Sequence, residues 1–195
     1  MNIDPHALSP RESYKLLVGA VVPRPIAFVT SLNAKGILNA APYSFFNIVA
    51  SSPPLIMISA EREKGAMKHT TDNILHTKEF VVNVVTEELV RAMNVHSGEF
   101  QSTVEELAAV QLSLTPGVRI STPSIAESPV RCECTLYRHF EIGNDSTDLL
   151  IGEVVQFCIK DELFSGGTID QVQLKPVARM GGTYYAQTGG LFELK

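Results

Sequence analysis

The chain has 195 residues, of which 45% are hydrophobic and 19% are charged. This balance is typical of one soluble globular domain with a substantial core, so we expect a single domain over residues 1–195. The formal net charge of −5 offers no basic surface for nucleic acid. No apolar run approaches the roughly 20 residues of a membrane span, so we expect neither nucleic acid nor a membrane as a partner.

The N-terminal residues and the cysteines indicate the cellular compartment in which the protein works. Residues 1–15 are polar and unlike a secretory signal. Cys132, Cys134 and Cys158 are odd in number and too few for a disulfide framework, so we expect free thiols in the cytoplasm. Cys132 and Cys134 share one side of a predicted strand. Core thiols are the favoured interpretation, because a metal site would need two more ligands.

The first predicted element is a helix that begins after Ser9 and ends near Gly19. Ser9 can cap this helix, Pro10 suits its first turn, and Glu12 can complete a capping box. Similar capping signals predict three more short helices. These signals lie at 70–73, 86–88 and 103–106.

Strands occupy most of the remaining chain. Runs of apolar and β-branched residues, bounded by turn-forming residues, predict a strand in each case. The predicted strands cover 26–31, 37–46, 55–60, 79–85, 130–143 and 148–160. Gly36 can supply the positive φ of the turn between the first two. About six or seven antiparallel strands with a few short helices predict a mainly β barrel rather than a parallel sheet.

Two of the predicted strands are apolar on both faces. They contain "FVVNVV" at 80–85 and "GEVVQFCI" at 152–159. One face of such a strand can line the barrel, while the other needs a helix or a second subunit to cover it. These strands predict a homodimer with a large apolar interface.

The stretch "NAAPYSFFN" at 39–47 is richer in small and polar residues than a simple connection requires. Small residues such as Ala41 and Pro42 would let backbone donors and acceptors approach a flat ligand closely. Ser44 and Asn47 could add side-chain hydrogen bonds. The alternative is a bulged edge strand whose aromatic residues belong to the core.

A second candidate for ligand binding is "KHTTDNI" at 68–74. Lys68 is cationic, and the hydroxyl groups of Thr70 and Thr71 lie beside free N–H groups at a predicted helix N-terminus. Unpaired donors and the helix dipole converge at such a place and can bind phosphate. From these residues alone, the favoured interpretation is that a threonine caps the helix and Lys68 is solvated.

Taken together and in this order, several motifs resemble the flavin reductase-like FMN-binding split-barrel family. The resemblance covers residues 18–185 and is closest to the branch of flavoredoxins and nitrilotriacetate monooxygenase reductase components. It implies a homodimer of six-stranded antiparallel split β-barrels with short helices and FMN at the dimer interface. The motifs are "PRPIAFVTS", "NAAPYSFF", "PPLIMIS", "KHTTDNI", "EFVVNVV", "ESPVRCEC", "IGEVV" and "KPVARMGGTYY".

The resemblance also implies which residues contact the flavin ring and its ribityl chain. Thr30 and Ser31 match the strand end beside the flavin, and Ser59 matches the strand end near the ribityl chain. The segment along the isoalloxazine edge is matched by Ala41, Pro42, Ser44, Phe46 and Asn47.

The phosphate of FMN has its own motif in the family, which Lys68, Thr70 and Asn73 match. Arg24 lies in the Pro-Arg-Pro motif of the family and could also reach the phosphate. His69 stands where the family usually has an aspartate. This change removes an anion from a phosphate site, so it is compatible with FMN binding.

The function implied is an FMN-dependent oxidoreductase, chiefly an NAD(P)H:flavin reductase that takes hydride from NADH or NADPH. A monooxygenase or another redox protein would receive its electrons. Because the flavin carries the chemistry, no catalytic acid or base is expected. The reductases commonly have Gly-Asp-His in the turn before "IGEV", and "GNDSTDLLIGEV" has no histidine there.

That departure keeps two alternatives open. One is a flavoredoxin-type electron carrier whose FMN is reduced by a protein partner, and the other is a non-catalytic FMN-binding protein. His96, in "NVHSGEF", could lie near the flavin of a partner subunit or be solvated.

Overall fold

The computed structural model describes residues 1–95, 104–144 and 147–194, so His96 and Thr103 lie outside the described residues. The protein is mainly β, with one antiparallel seven-stranded sheet and several short helices. The predicted fold class is confirmed, but the predicted number of six strands is wrong by one. No helix in the described part of the chain is long and apolar enough to cross a membrane.

The first half of the chain supplies five of the seven strands. Its elements are α1 (Pro10–Ala20), β1 (Ala27–Leu32), β2 (Leu38–Tyr43), β3 (Phe46–Ser51), β4 (Pro54–Glu61), α2 (His69–Thr77) and β5 (Glu79–Val84). The second half adds the two long strands and several short elements. They are α3 (Val90–Val95), α4 (Val104–Ala109), β6 (Leu114–Thr115), β7 (Ser124–Ile125), β8 (Val130–Ile142), β9 (Thr147–Ile159), β10 (Phe164–Ser165), β11 (Thr168–Ile169), α5 (Gln171–Leu174), β12 (Val177–Arg179) and β13 (Tyr185–Gln187).

Helix α1 begins where the sequence predicted, whereas helix α2 begins earlier than predicted. The capping box of α1 is present, because Ser9 and Glu12 each accept a hydrogen bond from the backbone N–H of the other. Helix α2 begins before 70–73, with Lys68 at the N-cap position and no side-chain cap. The threonines therefore lie within the first turn, where tertiary hydrogen bonds engage Thr70.

The seventh strand is β3, which was not predicted: the predicted strand 37–46 ends at Tyr43, and a separate strand begins at Phe46. The sheet order is β2-β1-β5-β8-β9-β4-β3, so β2 and β3 form its two opposite edges. The chain passes from one edge to the other at Ser44 and Phe45, and the Phe45 carbonyl accepts a hydrogen bond from the Ser59 N–H (2.8 Å). The edges thus meet at one corner without pairing, which is the opening of a split barrel. Pro42 suits an edge strand because it has no N–H to donate.

Strand β5 is covered on both faces by its own chain. Phe80 and Val82 belong to the barrel core, and Val81 and Asn83 on the other face are also fully buried. The second face of this strand, for which a helix or a second subunit was expected, is instead covered by the segment around β7. Asn83 Nδ2 donates to the Phe28 carbonyl (2.9 Å), and its Oδ1 accepts from the Ile125 N–H (2.8 Å).

Close packing across the barrel explains one glycine of the "IGEVV" motif. A Cβ at Gly152 would overlap the buried ring of Phe80. The cysteines pack nearby as free thiols, as predicted. Burial raises the pKa of Cys132 to about 12 and raises that of the Cys134 thiol well above its usual range. Both groups therefore remain protonated and apolar in character.

One end of the barrel is held by a buried carboxylate. Asp148 is 0% exposed and accepts two hydrogen bonds from Arg62, at 3.0 and 2.9 Å. His139 Nε2 lies 2.9 Å from the same carboxylate, and Arg62 also contacts Glu141 (2.8 Å). Burial of Asp148 disfavours its ionised form, but the hydrogen bonds from Arg62 and His139 outweigh this and lower its pKa. The ionised carboxylate therefore ties β4 to β8 and β9.

We expect Asp148→Asn to lower the free energy of unfolding at pH 7 by about 3 kcal/mol, because the substitution removes the buried anion that holds Arg62 and His139. The native pKa of Asp148 lies below the unfolded value, so its contribution is present above the unfolded pKa and is lost as pH falls. The difference from wild type should shrink below about pH 4. Urea denaturation at several pH values measures it. The exposed Asp161→Asn is the control, and an equal loss in both variants would contradict the prediction.

Candidate functional site

The first component of the site is the N-terminus of α2. The N–H groups of a first helical turn have no acceptor within the helix, and the helix dipole makes this end positive. The Lys68 side chain makes no capping hydrogen bond here. Helix α2 has nine residues and packs against β1 and β2. Its N-terminus therefore lies beside the open edge of the barrel, and the positive end of a helix is a place that favours anions.

Two buried hydrogen bonds hold this helix on the sheet. Asn39 Nδ2 donates to Thr70 Oγ1 (2.7 Å), and Asn73 Nδ2 donates to Ser31 Oγ (3.1 Å). All four residues are buried. The structure thus brings Ser31 together with Thr70 and Asn73, and their side chains bond within the protein. Their role here is to position the helix.

Two residues of this cluster were missed in the sequence, although both belong to "NAAPYSFFN". They are Asn39 and Tyr43, and both approach Thr70. Burial raises the pKa of Tyr43 to about 12, with an opposing contribution from its hydrogen bond to Thr70. Asn39 and Tyr43 are four residues apart on β2, so both lie on one face of the strand. This spacing could have identified them from the sequence.

One hydroxyl group in the first turn of α2 has no partner. Thr71 Oγ1 is buried and makes no hydrogen bond within the described residues. Buried polar atoms nearly always find a partner, so such an atom is accounted for by a ligand or a bound water. The orphaned hydroxyl supports an anion site at this helix end.

Lys68 lies at the surface beside the helix N-terminus. Its side chain is 40% exposed, and Nζ lies 3.0 Å from Glu63 Oε2. An exposed ion pair of this kind contributes little stability. Lys68 is therefore free to exchange Glu63 for a more strongly charged anion such as a phosphate.

Thr30 is separated from Ser31 by the alternation of the strand, which sends successive side chains to opposite faces. Thr30 Oγ1 donates to the Pro123 carbonyl (2.7 Å) and is fully buried on the face away from α2. Ser59 is half-buried beside the corner at Phe45. The structure therefore groups Ser31 with the helix N-terminus and Ser59 with the corner, and it separates Thr30 from both.

The second component is the β2 edge and the corner that follows it. Ala41, Pro42 and Ser44 are half-buried there, and Phe46 packs against the barrel core. Asn47 is exposed, and its Oδ1 accepts from the N–H of the next residue (2.8 Å). The small residues leave the edge accessible to a flat molecule, while the Asn47 oxygen is engaged locally.

Arg24 is buried beside this corner. Its guanidinium donates to the carbonyls of Val18 (2.8 Å), Val21 (2.6 Å) and Met180 (3.0 Å) and to Ser44 Oγ (3.4 Å). Arg24 therefore joins α1, the corner and the C-terminal segment. These hydrogen bonds commit it to the Ser44 corner, so its contribution to the site is structural.

A cleft of about 590 Å³ opens between α1, the end of β2 and the hairpin of β12 and β13. Its walls combine predicted site residues with residues that the sequence interpretation missed. The predicted ones are Arg24, Pro42 and Ser44. Those missed include Tyr14, Arg179 and Tyr185. Arg179 and Tyr185 could have been found in the sequence, because both lie in the polar and aromatic motif "KPVARMGGTYY".

The fold and these two components define a split-barrel protein with a helix N-terminus beside an open strand edge. The model of the flavin reductase like domain matches residues 18–178, and the chain belongs to this family. The resemblance noted in the sequence is thereby confirmed.

Individual proteins are similar over nearly their full length. An uncharacterized protein of Halalkalibacterium halodurans is 43% identical to this chain. The alignment covers 100% of this chain and 95% of that protein. The crystal structure of nitrilotriacetate monooxygenase component B from Bacillus cereus has 40% sequence identity and a TM-score of 0.94. The match covers 100% of this chain and 98% of that one. The crystal structure of Pseudomonas fluorescens 2-nitrobenzoate 2-nitroreductase has 36% sequence identity and a TM-score of 0.89. The match covers 100% of this chain and 95% of that one.

Proposed function

We propose that the protein binds FMN and acts as an NAD(P)H:flavin reductase that supplies reduced flavin. The observation that carries this proposal is the position of the α2 N-terminus, which has no side-chain cap, beside the accessible edge of β2. A phosphate and a flat ring joined by a short chain need such a pair of sites. Membership of the flavin reductase like domain family supports the assignment. So do similar proteins named as a monooxygenase component and a nitroreductase.

The residues present fit the cofactor. The first-turn N–H groups of α2, Lys68 and the orphaned Thr71 hydroxyl would hold the phosphate. Backbone groups from Ala41 to Ser44 would lie along the ring. Bound FMN would supply hydride acceptance and transfer. Ser31, Thr70 and Asn73 act through the helix, since their hydrogen bonds keep its N-terminus at the strand edge.

FMN is proposed over FAD because the two components provide for one phosphate and one ring system. The reductase would take hydride from NADH or NADPH and pass electrons to a monooxygenase or another redox protein. We also propose a cytoplasmic location, which the three free thiols support.

The turn between β8 and β9 favours a second candidate, a flavoredoxin-type carrier reduced by a protein partner. Gly143 and Asn144 occupy the described part of that turn, and the sequence from Gly143 to Thr147 has no histidine. His139, on the adjoining strand, is bonded to buried Asp148 and is committed to the fold. A non-catalytic FMN-binding protein remains the third candidate.

The protein is proposed to be a homodimer because apolar side chains remain exposed on the barrel. Ile48 on the edge strand β3 is 76% exposed, and Phe157 on β9 is 53% exposed. Leu16 and Leu17 on α1 are exposed as well. We assign these exposed apolar side chains to the interface between two copies of the chain.

We expect Lys68→Ala to weaken FMN binding by about tenfold, because a charge-assisted hydrogen bond to the phosphate dianion is lost. Riboflavin lacks the phosphate, so its affinity should stay within about twofold. Calorimetric titration with both flavins measures the contrast. Lys160→Ala, which removes an exposed lysine at the end of β9, is the matched control. If riboflavin binding falls as much as FMN binding, Lys68 is structural and the phosphate lies elsewhere.

Mixing the FMN-loaded protein with NADH or NADPH under anaerobic conditions should bleach the flavin absorbance near 450 nm, about as fast as typical turnover of 1 to 1,000 per second. Stopped-flow spectroscopy measures the rate, and free FMN under the same conditions is the control. If neither NADH nor NADPH bleaches the bound flavin faster than it bleaches free FMN, the proposed reductase activity is rejected. Bleaching by a reduced protein donor alone would then select the electron carrier.

Sedimentation velocity at micromolar protein concentration should show a dimer. Ile48→Asp should shift the protein toward the monomer, because a charge placed on the exposed edge of β3 cannot be buried in an apolar interface. Lys160→Asp, on a charged surface, should leave the distribution unchanged. A monomeric wild-type protein with FMN bound would overturn the proposed dimer.

A further inference from the structure

The cleft beside the corner has an unusual balance of charge. Among the described residues that line it, none is Asp or Glu, whereas Arg24 and Arg179 are both cationic. Neither guanidinium forms an ion pair with a carboxylate in the described part of the chain. The cleft volume of about 590 Å³ lies within the range of small-molecule sites. Because a partly desolvated positive charge is costly without an anion, the cleft favours an anionic occupant.

The two arginines differ in the donors that they can offer to a ligand. Arg24 is buried and donates to three backbone carbonyls and to Ser44. Arg179 is half-buried, and its one protein acceptor within the described residues is the Gly182 carbonyl, 2.6 Å from one terminal nitrogen. Its other N–H groups are unused. Arg179 is therefore the residue that can bind an anion directly.

Flat rings accompany this guanidinium. The Arg179 guanidinium carbon lies 4.6 Å from the centroid of the Tyr185 ring, a stacking distance. The Tyr185 hydroxyl donates to Asn94 Oδ1 (2.9 Å), which fixes the ring. Tyr14 and Tyr43 line the same cleft. The site thus combines a held guanidinium with aromatic walls, a combination that suits a planar molecule bearing an anionic group.

We propose that this cleft binds a small aromatic carboxylate, with the carboxylate on Arg179 and the ring against Tyr185. A planar carboxylate matches the fork of a guanidinium through two parallel hydrogen bonds. Aromatic rings gain stability from stacking on such walls. A phosphate dianion is better served by the several N–H donors at the α2 N-terminus than by one guanidinium. The monoanion is therefore assigned to this cleft.

Pro42 and Ser44 belong both to the wall of the cleft and to the edge proposed for the flavin ring. An aromatic carboxylate bound in the cleft would therefore lie beside that ring. This last step rests on the proposed function, whereas binding to Arg179 does not. The two can therefore be tested separately.

The test titrates the full-length protein with benzoate and with benzamide, its neutral counterpart of the same shape, by calorimetry at pH 7. We expect benzoate to bind at least tenfold more tightly than benzamide. Arg179→Gln should weaken benzoate by about tenfold, the effect of one charge-assisted interaction, and leave benzamide unchanged. Arg179→Lys, which keeps the charge but loses the fork, should lie between wild type and Arg179→Gln.

The chain offers a matched control at Arg138. Its guanidinium carbon lies 5.0 Å from the centroid of the Tyr137 ring, and it donates to the Tyr137 carbonyl (3.0 Å), but both residues are exposed on β8. Arg138→Gln should leave both affinities unchanged. Thermal unfolding of each variant verifies the fold. If Arg179→Gln does not fold, the benzoate-to-benzamide ratio of wild type and Arg179→Lys decides.

Three results would overturn the inference. They are no benzoate binding at millimolar concentration, equal affinities for benzoate and benzamide, and equal losses in the Arg138 and Arg179 variants. A separate FMN titration distinguishes this outcome from failure of the proposed function. Benzoate binding without FMN binding would retain the cleft assignment and reject the flavin, and the reverse would retain the flavin and reject the cleft assignment.

Discussion

Two buried hydrogen bonds, from Asn39 to Thr70 and from Asn73 to Ser31, determine where the N-terminus of α2 lies. Each joins two side chains that water cannot reach, so losing either partner would leave the other unsatisfied at a cost of about 1–3 kcal/mol. Because the partners come from β1, β2 and α2, the helix cannot shift along the sheet without breaking both bonds. The first turn of the helix is consequently held beside the open edge of the barrel.

The open edge depends on a second constraint, the separation of β2 from β3. These strands are consecutive in the chain yet occupy opposite edges of the sheet, and the corner at Ser44 and Phe45 is the link between them. Arg24 stabilises this corner through four hydrogen bonds to α1, Ser44 and the C-terminal segment. The same arginine shapes the neighbouring cleft, so the strand edge and the cleft are parts of one assembly.

Buried carboxylates stabilise the rest of the barrel in a similar way. Asp148 joins Arg62 and His139 at one end, and Glu133, 1% exposed, accepts hydrogen bonds from the N–H groups of Val118 and Arg119 (both 2.7 Å). A buried carboxyl group in such a position is tolerated because its oxygens accept hydrogen bonds from nearby donors. The site and the barrel thus follow one rule, in which buried polar groups fix the relative positions of strands, helices and loops.

The sequence by itself determined the elements whose signals are local. The capping box of α1, the turn at Gly36 and the two long strands follow from residue types within a few positions of each other, and the order of motifs identified the family. Tertiary structure alone decided that a separate strand begins at Phe46, that Thr70 bonds to Asn39, and that Thr30 and Ser31 diverge. It also placed Arg179 in a cleft with Arg24, from which it is separated by most of the chain. These features arise from contacts between distant segments, whose free energy depends on burial and geometry that no local pattern of residues specifies.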